Sequence, residues 1–321
     1  MLQLYSAIWR ASARRQVILI LLSLSVAALA AAPLEFQRDI VNHLTSDNIE
    51  APHLLLLGAG MMGVILLSLA LKWVLGYRAG TLGEDMIRRI RQLLLARTVD
   101  VDESGENVRK GTMTTAISAE AEELGKFAGG AFSDPVVQIG TLVSVIGYIS
   151  STQPWLGLIA LSMIAPQILI VLVSQRKVNV FVADRVRILR SATDHLTIEH
   201  IEAVTQEVHD QFDAIYDTRR RMFLWKLSAK FLLSVINGAG TVGVLMLGGW
   251  LVLQGETDVG TVVAATSGLA RIQGPTGFLI AFYRQVSANR IKFELLLELF
   301  GPDRARYRRG GAASQEKNRA E

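Results

Sequence analysis

The chain has 321 residues, half of them apolar, a formal net charge of +4 and a mean hydropathy of +0.34. None of these residues is a cysteine, which excludes disulfides and thiolate metal centres within them. The arginines flank long apolar runs instead of covering a soluble face, so the charge reads as a topology signal and not as a nucleic-acid footprint.

Residues 1–15 come first. Leu4, Tyr5, Ile8 and Trp9 recur at helical spacing beside Arg10, Arg14 and Arg15, which predicts an amphipathic elbow helix lying along a membrane face. A membrane helix needs about 20 mostly apolar residues. Gln16–Leu34 carries no charge and is the first candidate span. Its flanks, Arg14-Arg15 and Ala30-Ala31-Ala32, also resemble a secretory signal with its cleavage site, but the run is long for one and the segment before it has its own pattern. Ala51–Leu71 is the second span. Residues 135–175 hold no charge and are long enough for two spans, parted at the polar turn Ser150-Ser151-Thr152-Gln153-Pro154. That gives Phe132–Ile149 and Trp155–Ser174. Phe231–Gly255 is the fifth, and Val259–Tyr283, uncharged apart from Arg271, is the sixth.

The 33 basic residues are distributed unevenly. Three precede the first span, 9 lie in 72–126, 10 in 176–230 and 9 from Arg284 onward. The turns after the third and fifth spans hold none, and the segment after the first holds only Arg38. The positive-inside rule then places both termini and both long loops in the cytoplasm. Those loops are proline-free and keep a three-four apolar period, at Met86, Ile90, Leu93 and Leu94 and again at Ile201, Val204, Val208, Phe212 and Ile215. They are therefore expected to be helical hairpins, 72–126 and 176–230, with tips around Asp102–Gly111 and within Ile198–Glu207. A helix of about 25 residues beyond the bilayer reaches nearly 40 Å and can carry a push from a soluble partner to the spans. The expected fold class is an all-α membrane protein: an elbow at 1–15, a six-span domain over 16–300 with both hairpins, and a polar, disordered tail at 301–321.

Several segments in order resemble the transmembrane domain of an exporter-type (type IV fold) ABC transporter. They are the basic helix Ile87–Leu94, the glycine-led stretch Gly111–Glu120, Asp194–Glu207 in the second hairpin, Asp258–Ala264 opening the sixth span, Gly274-Pro275, Asn289-Arg290-Ile291 and Leu295–Leu297. The resemblance implies a dimer of six-helix units, homomeric or heteromeric, whose hairpin tips dock on ATP-binding domains. Coupling to the ATPase partner would then fall on Glu106, Gly111, Thr112 and Met113 in the first tip and on Ile198, Glu202 and Thr205 in the second. The sequence departs from most of the family in one respect. It contains no GxxxxGK(S/T) loop; its only Gly-Lys pair, Gly125-Lys126, is followed by Phe127. No catalytic residue and no cofactor is expected on this chain, with ATP and Mg held by a separate subunit. The expected setting is a bacterial inner (plasma) membrane with lipid around the spans.

Individual residues sharpen the expectation. Arg271 sits mid-span, where an arginine costs about 2.5–3.5 kcal/mol on insertion scales, so it should face a carboxylate partner or a wet pathway that attracts an anionic substrate or head group. Gln273 points to another helix face, and Pro275 removes a backbone hydrogen bond and is expected to kink the span. These three are the candidate translocation-pathway residues. Ala239/Gly243 and Ala59/Gly63 are small-xxx-small steps expected to pack helices closely. His195, His200 and His209, near Glu199 and Asp213, do not share a helix face, so no metal site is expected. A proton-driven transporter on the same scaffold would need a carboxylate in the spans, and Asp134 is the candidate. A non-transporting regulatory half is the third reading.

Overall fold

The computed structural model describes residues 2–46, 51–104, 120–198 and 201–299. Among them every regular element is helical: α1 (Leu2–Ala28), α2 (Ala32–Thr45), α3 (Ala51–Ser104), α4 (Ala121–Gly130), α5 (Ser133–Thr152), α6 (Pro154–Ile198), α7 (Ile201–Leu253) and α8 (Val259–Leu299). Five stretches are long and apolar enough to cross a membrane: Leu2–Thr45, Ala51–Ala96, Ala121–Thr152, Pro154–Val182 and Asp210–Leu253. α8 falls below that threshold although it is 41 residues long, because Arg271, Gln273 and a run of threonine, serine and glycine dilute its apolar side chains. The chain is an integral membrane protein with several spanning helices.

The helices fall into two compact units. Of the described residues, the first gathers 2–30, 63–104, 120–141 and 281–299. Its core is one apolar cluster in which Leu4, Ile8 and Leu19 of α1 meet Leu82, Met86 and Leu94 of α3, Leu124 and Phe127 of α4, and Val286 of α8. The apolar stripe of the N-terminal segment is thus covered by protein: Tyr5 lies edge-on to Phe127 and Phe132, and Trp9 edge-on to Phe132. α1 breaks at Ser12 (φ −148°, ψ 22°), whose hydroxyl donates to the Ile8 carbonyl at 2.8 Å. α3 and α4 cross on glycine. A Cβ at Gly129 would stand 2.4 Å from the Ala79 carbonyl oxygen, and one at Gly125 would stand 2.3 Å from Ile87 Cγ1.

The second unit holds residues 31–62 and 142–280. α6 and α7 run antiparallel along each other, with Ile159 beside Gly243, Met163 against Gly240 and Gln167 bonded to Asn237. α8 rests on α5 where a Cβ at Gly268 would come within 2.8 Å of Ile149. The turn into α8 needs a left-handed residue, which Gly255 supplies at φ +75°, and Glu256 N–H then donates to the Leu251 carbonyl at 3.0 Å.

The small-xxx-small steps divide. Gly243 makes only ordinary contact with Ile159, while Gly240, not read as a packing residue, takes the tight contact. In α3 a Cβ at Gly63 would meet nothing within 4 Å, and Gly60 instead lies against Phe36. Among the described residues close packing at Ala59/Gly63 is therefore not made, because that face of α3 is open.

Candidate functional site

α8 carries the predicted pathway residues. At about 100° per residue, its buried stripe runs through Thr261, Ala264, Ala265, Leu269, Ile272 and Thr276. Pro275 joins that buried stripe, while Arg271 and Gln273 are exposed. They stand about 200° apart and flank an open face of Ala270, Gly274 and Gly277. A Cβ at either glycine would meet nothing within 4 Å. The three predicted residues therefore do not converge on one point. Pro275 lies inside a helix that continues from Val259 to Leu299; it supplies no N–H for the Arg271 carbonyl one turn back, and Thr276 bonds its hydroxyl to the Ile272 carbonyl at 3.0 Å.

The N-terminus of α8 is held by a polar clasp that sequence reasoning missed. Asp258 caps the helix: Thr261 donates its backbone N–H to Oδ1 at 2.6 Å and its hydroxyl to Oδ2 at 2.9 Å. From α2, Asn42 donates to Oδ1 at 2.8 Å and Arg38 to Oδ2 at 3.1 Å. Asn42 Oδ1 in turn accepts the Gly260 N–H at 2.8 Å. Only glycine fits there, since a Cβ would lie 2.2 Å from the Arg38 carbonyl oxygen. Partial burial works against ionisation of Asp258, but the bonds from Arg38, Asn42 and Thr261 outweigh it and hold the carboxyl down at about 2. Arg38 is thus a clasp residue, with Glu35 also within ion-pair reach at 3.7 Å. The signal was present as Asp258-Val259-Gly260-Thr261, a capping sequence.

Inside the apolar part of α6 and α7, Gln167 Nε2 donates to Asn237 Oδ1 at 2.8 Å, and Gln167 is only 4% exposed. Such a pair is satisfied internally because lipid offers it no partner. Pro166 precedes Gln167 in the helix.

In the first unit, α4 is tied on three sides. Glu122 pairs with Arg91 of α3 at 3.6 Å and with Lys126 at 2.5 Å. Glu123 pairs with Lys292 of α8, and Phe127 stacks on Phe282. Gln16 of α1, fully buried, donates Nε2 to the Ala128 carbonyl at 2.9 Å, next to the interruption between α4 and α5. Asp134 is the second residue of α5, within reach of the Ser133 hydroxyl.

Glu106, Gly111, Thr112 and Met113 lie outside the described residues, as does the tail 301–321. Ile198 ends α6 and Glu202 and Thr205 lie in the first turns of α7, with side chains outside the described part. Among the described residues no three histidine, cysteine or acidic side chains are grouped to hold a metal ion.

The family model described as the ABC transporter transmembrane region matches residues 17–185, just over half of the 321. No curated protein matches the chain.

Proposed function

The chain belongs to the ABC transporter transmembrane-region family, and on that premise we propose that it is the membrane-spanning subunit of an ATP-driven transporter of exporter type, working by alternating access. The observation that carries this reading is the family match over the first four expected spans. In this reading ATP and Mg are bound by a partner nucleotide-binding subunit. A second transmembrane subunit, identical or related, completes the pathway. The two ends and both long hairpins face the cytoplasm, as the basic residues require. Coupling passes through the tips, at Glu106, Gly111, Thr112 and Met113 and at Ile198, Glu202 and Thr205.

Arg271 faces the pathway in this reading. Its exposure on a mid-span helix face of small residues favours a wet, protein-enclosed setting over lipid. Gln273 and Pro275 border the same segment. Purification from native membranes in mild detergent tests the proposal. A stoichiometric ATP-hydrolysing partner in the eluate is expected. Recovery of the chain alone, without ATPase activity, would overturn it and shift attention to proton coupling at Asp134.

A further inference from the structure

α1 and α3 run antiparallel in the first unit, and two contacts fix their register. Arg15 pairs with Asp85, and Arg89 donates to the Ala11 carbonyl at 3.2 Å. Position 14 of α1 is thus level with position 86 of α3, and Arg88 sits two residues, about 3 Å, farther along. The faces of the pair follow from its other neighbour. Gln16 on α1, and Gly83 and Ile87 on α3, face α4. At about 100° per residue Arg14 stands opposite Gln16. Arg88 is turned about 100–140° from Ile87 and Gly83, with the α1 contacts of Asp85 and Arg89 in between. Arg14 and Arg88 therefore flank the α1/α3 seam on the side away from α4, one on each helix and at one height, and both are exposed. Packed helix axes lie about 8–10 Å apart, so a phosphate over the seam is within reach of both side chains.

Neither arginine is committed within the chain. Asp85 is taken by Arg15, and Glu84, one turn from Arg88, borders the groove of Lys126 on the α4 side. Among the described residues Arg14 and Arg88 have no ion-pair partner. A second observation says what belongs there. Ile18 and Leu21 stand four and seven residues beyond Arg14 on the same face of α1, and they are 43% and 59% exposed. They lie in the charge-free run that opens at Gln16, so Arg14 stands where a span meets the headgroups. The open face is cationic at its foot and apolar above.

That combination selects a ligand. A soluble anion engages the arginines and leaves the apolar strip bare. A choline headgroup brings a cation toward two guanidinium groups. A phospholipid with a net negative headgroup satisfies both halves: its phosphate oxygens accept from the arginine forks while its chains cover Ile18 and Leu21. We propose that the open α1/α3 face binds an anionic phospholipid, with the phosphate between Arg14 and Arg88. The bland account is that both arginines are hydrated topology signals with no ligand. The proposal rests on membrane embedding and not on ATP coupling, so loss of the ATPase reading leaves it standing.

The full chain, purified in detergent, is titrated with phosphatidylglycerol, phosphatidylcholine or inorganic phosphate, reading bound lipid by native mass spectrometry and stability by thermal unfolding. Phosphatidylglycerol is expected to bind about tenfold more tightly than phosphatidylcholine, a free-energy gap of about 1.4 kcal/mol, and to raise the unfolding midpoint where phosphate does not. The double variant Arg14→Gln, Arg88→Gln leaves the Arg15–Asp85 and Arg89–Ala11 contacts in place and is expected to bind the two lipids alike. A second double variant, Arg219→Gln, Arg220→Gln, removes the same charge from exposed positions of α7 and should keep the preference. Equal binding of the two lipids by the wild-type chain would overturn the proposal. So would a preference that survives the first double variant, one lost equally in the second, or a stabilisation by phosphate as large as that by phosphatidylglycerol.

Discussion

Asp258 does three things with one carboxylate: it caps α8, receives Arg38 and Asn42 from α2, and remains ionised to about pH 2. Because its folded value is depressed below the ordinary 3.8, its stabilisation is complete above about pH 4 and is lost as the pH falls toward 2. Thermal unfolding of the detergent-solubilised chain between pH 5 and 2 should show that loss in the wild type and a flatter profile in Asp258→Asn, which keeps a capping side chain without the charge. Asp258→Ala removes the cap as well and should cost about 1 kcal/mol at neutral pH. Arg271 is the residue whose replacement reads on transport. Arg271→Ala in the assembled transporter is expected to lower transport of anionic substrates while leaving the amount of assembled protein unchanged. Unaltered transport of every substrate tried would remove it from the pathway.

At the scale of elements, two helix pairs depend on different chemistry. The α6/α7 pair is pinned by the Gln167–Asn237 hydrogen bond and the Met163–Gly240 contact. A double-mutant cycle with Gln167→Leu and Asn237→Leu should return a coupling of about 0.6–2 kcal/mol, the range for such bonds in membranes. Each single variant should be worse than the double one, since it strands a carboxamide in an apolar setting. The α3/α4 crossing depends instead on absent side chains. Gly125→Leu should cost at least about 3 kcal/mol or abolish folding, because Ile87 and the Gly83 carbonyl already stand within 3.0 Å of the Cβ position. Gly63→Leu, with open space around it, should leave the isolated chain as stable as before. Chemical or thermal unfolding of the two glycine variants beside the wild type checks the ordering.

For the molecule as a whole, the testable property is topology, and the lack of cysteine makes it accessible. A single cysteine at the exposed Glu256, in the turn between α7 and α8, should react with a membrane-impermeant maleimide in intact cells. One at Glu106 should react only after permeabilisation. The reverse pattern would invert the orientation drawn from the basic residues. Five stretches pass as spans on apolar content alone, and α8 does not. A helix with Arg271 and few bulky apolar side chains is a poor lipid neighbour and needs protein or water on its open face.

Much of this was readable from the residues in order. Long uncharged runs exist only where lipid or a core will take them, so helical class and membrane embedding followed from composition along the chain. Pooled arginines give an expected orientation that the maleimide labelling tests, and the succession of short motifs pointed to the transporter family that the family model matches. The site-level detail was not readable, because it joins residues far apart in sequence. Nothing local says that Arg38 and Asn42 reach Asp258 some 220 positions on, or that Gln16 bonds the Ala128 carbonyl. Glycines show the same limit. Gly63 and Gly125 are alike as letters, yet one faces open space and the other a neighbouring helix. Composition set where the chain can be buried; which face is buried, and against what, is decided only when two helices meet, since contact depends on register and separation that no single helix contains.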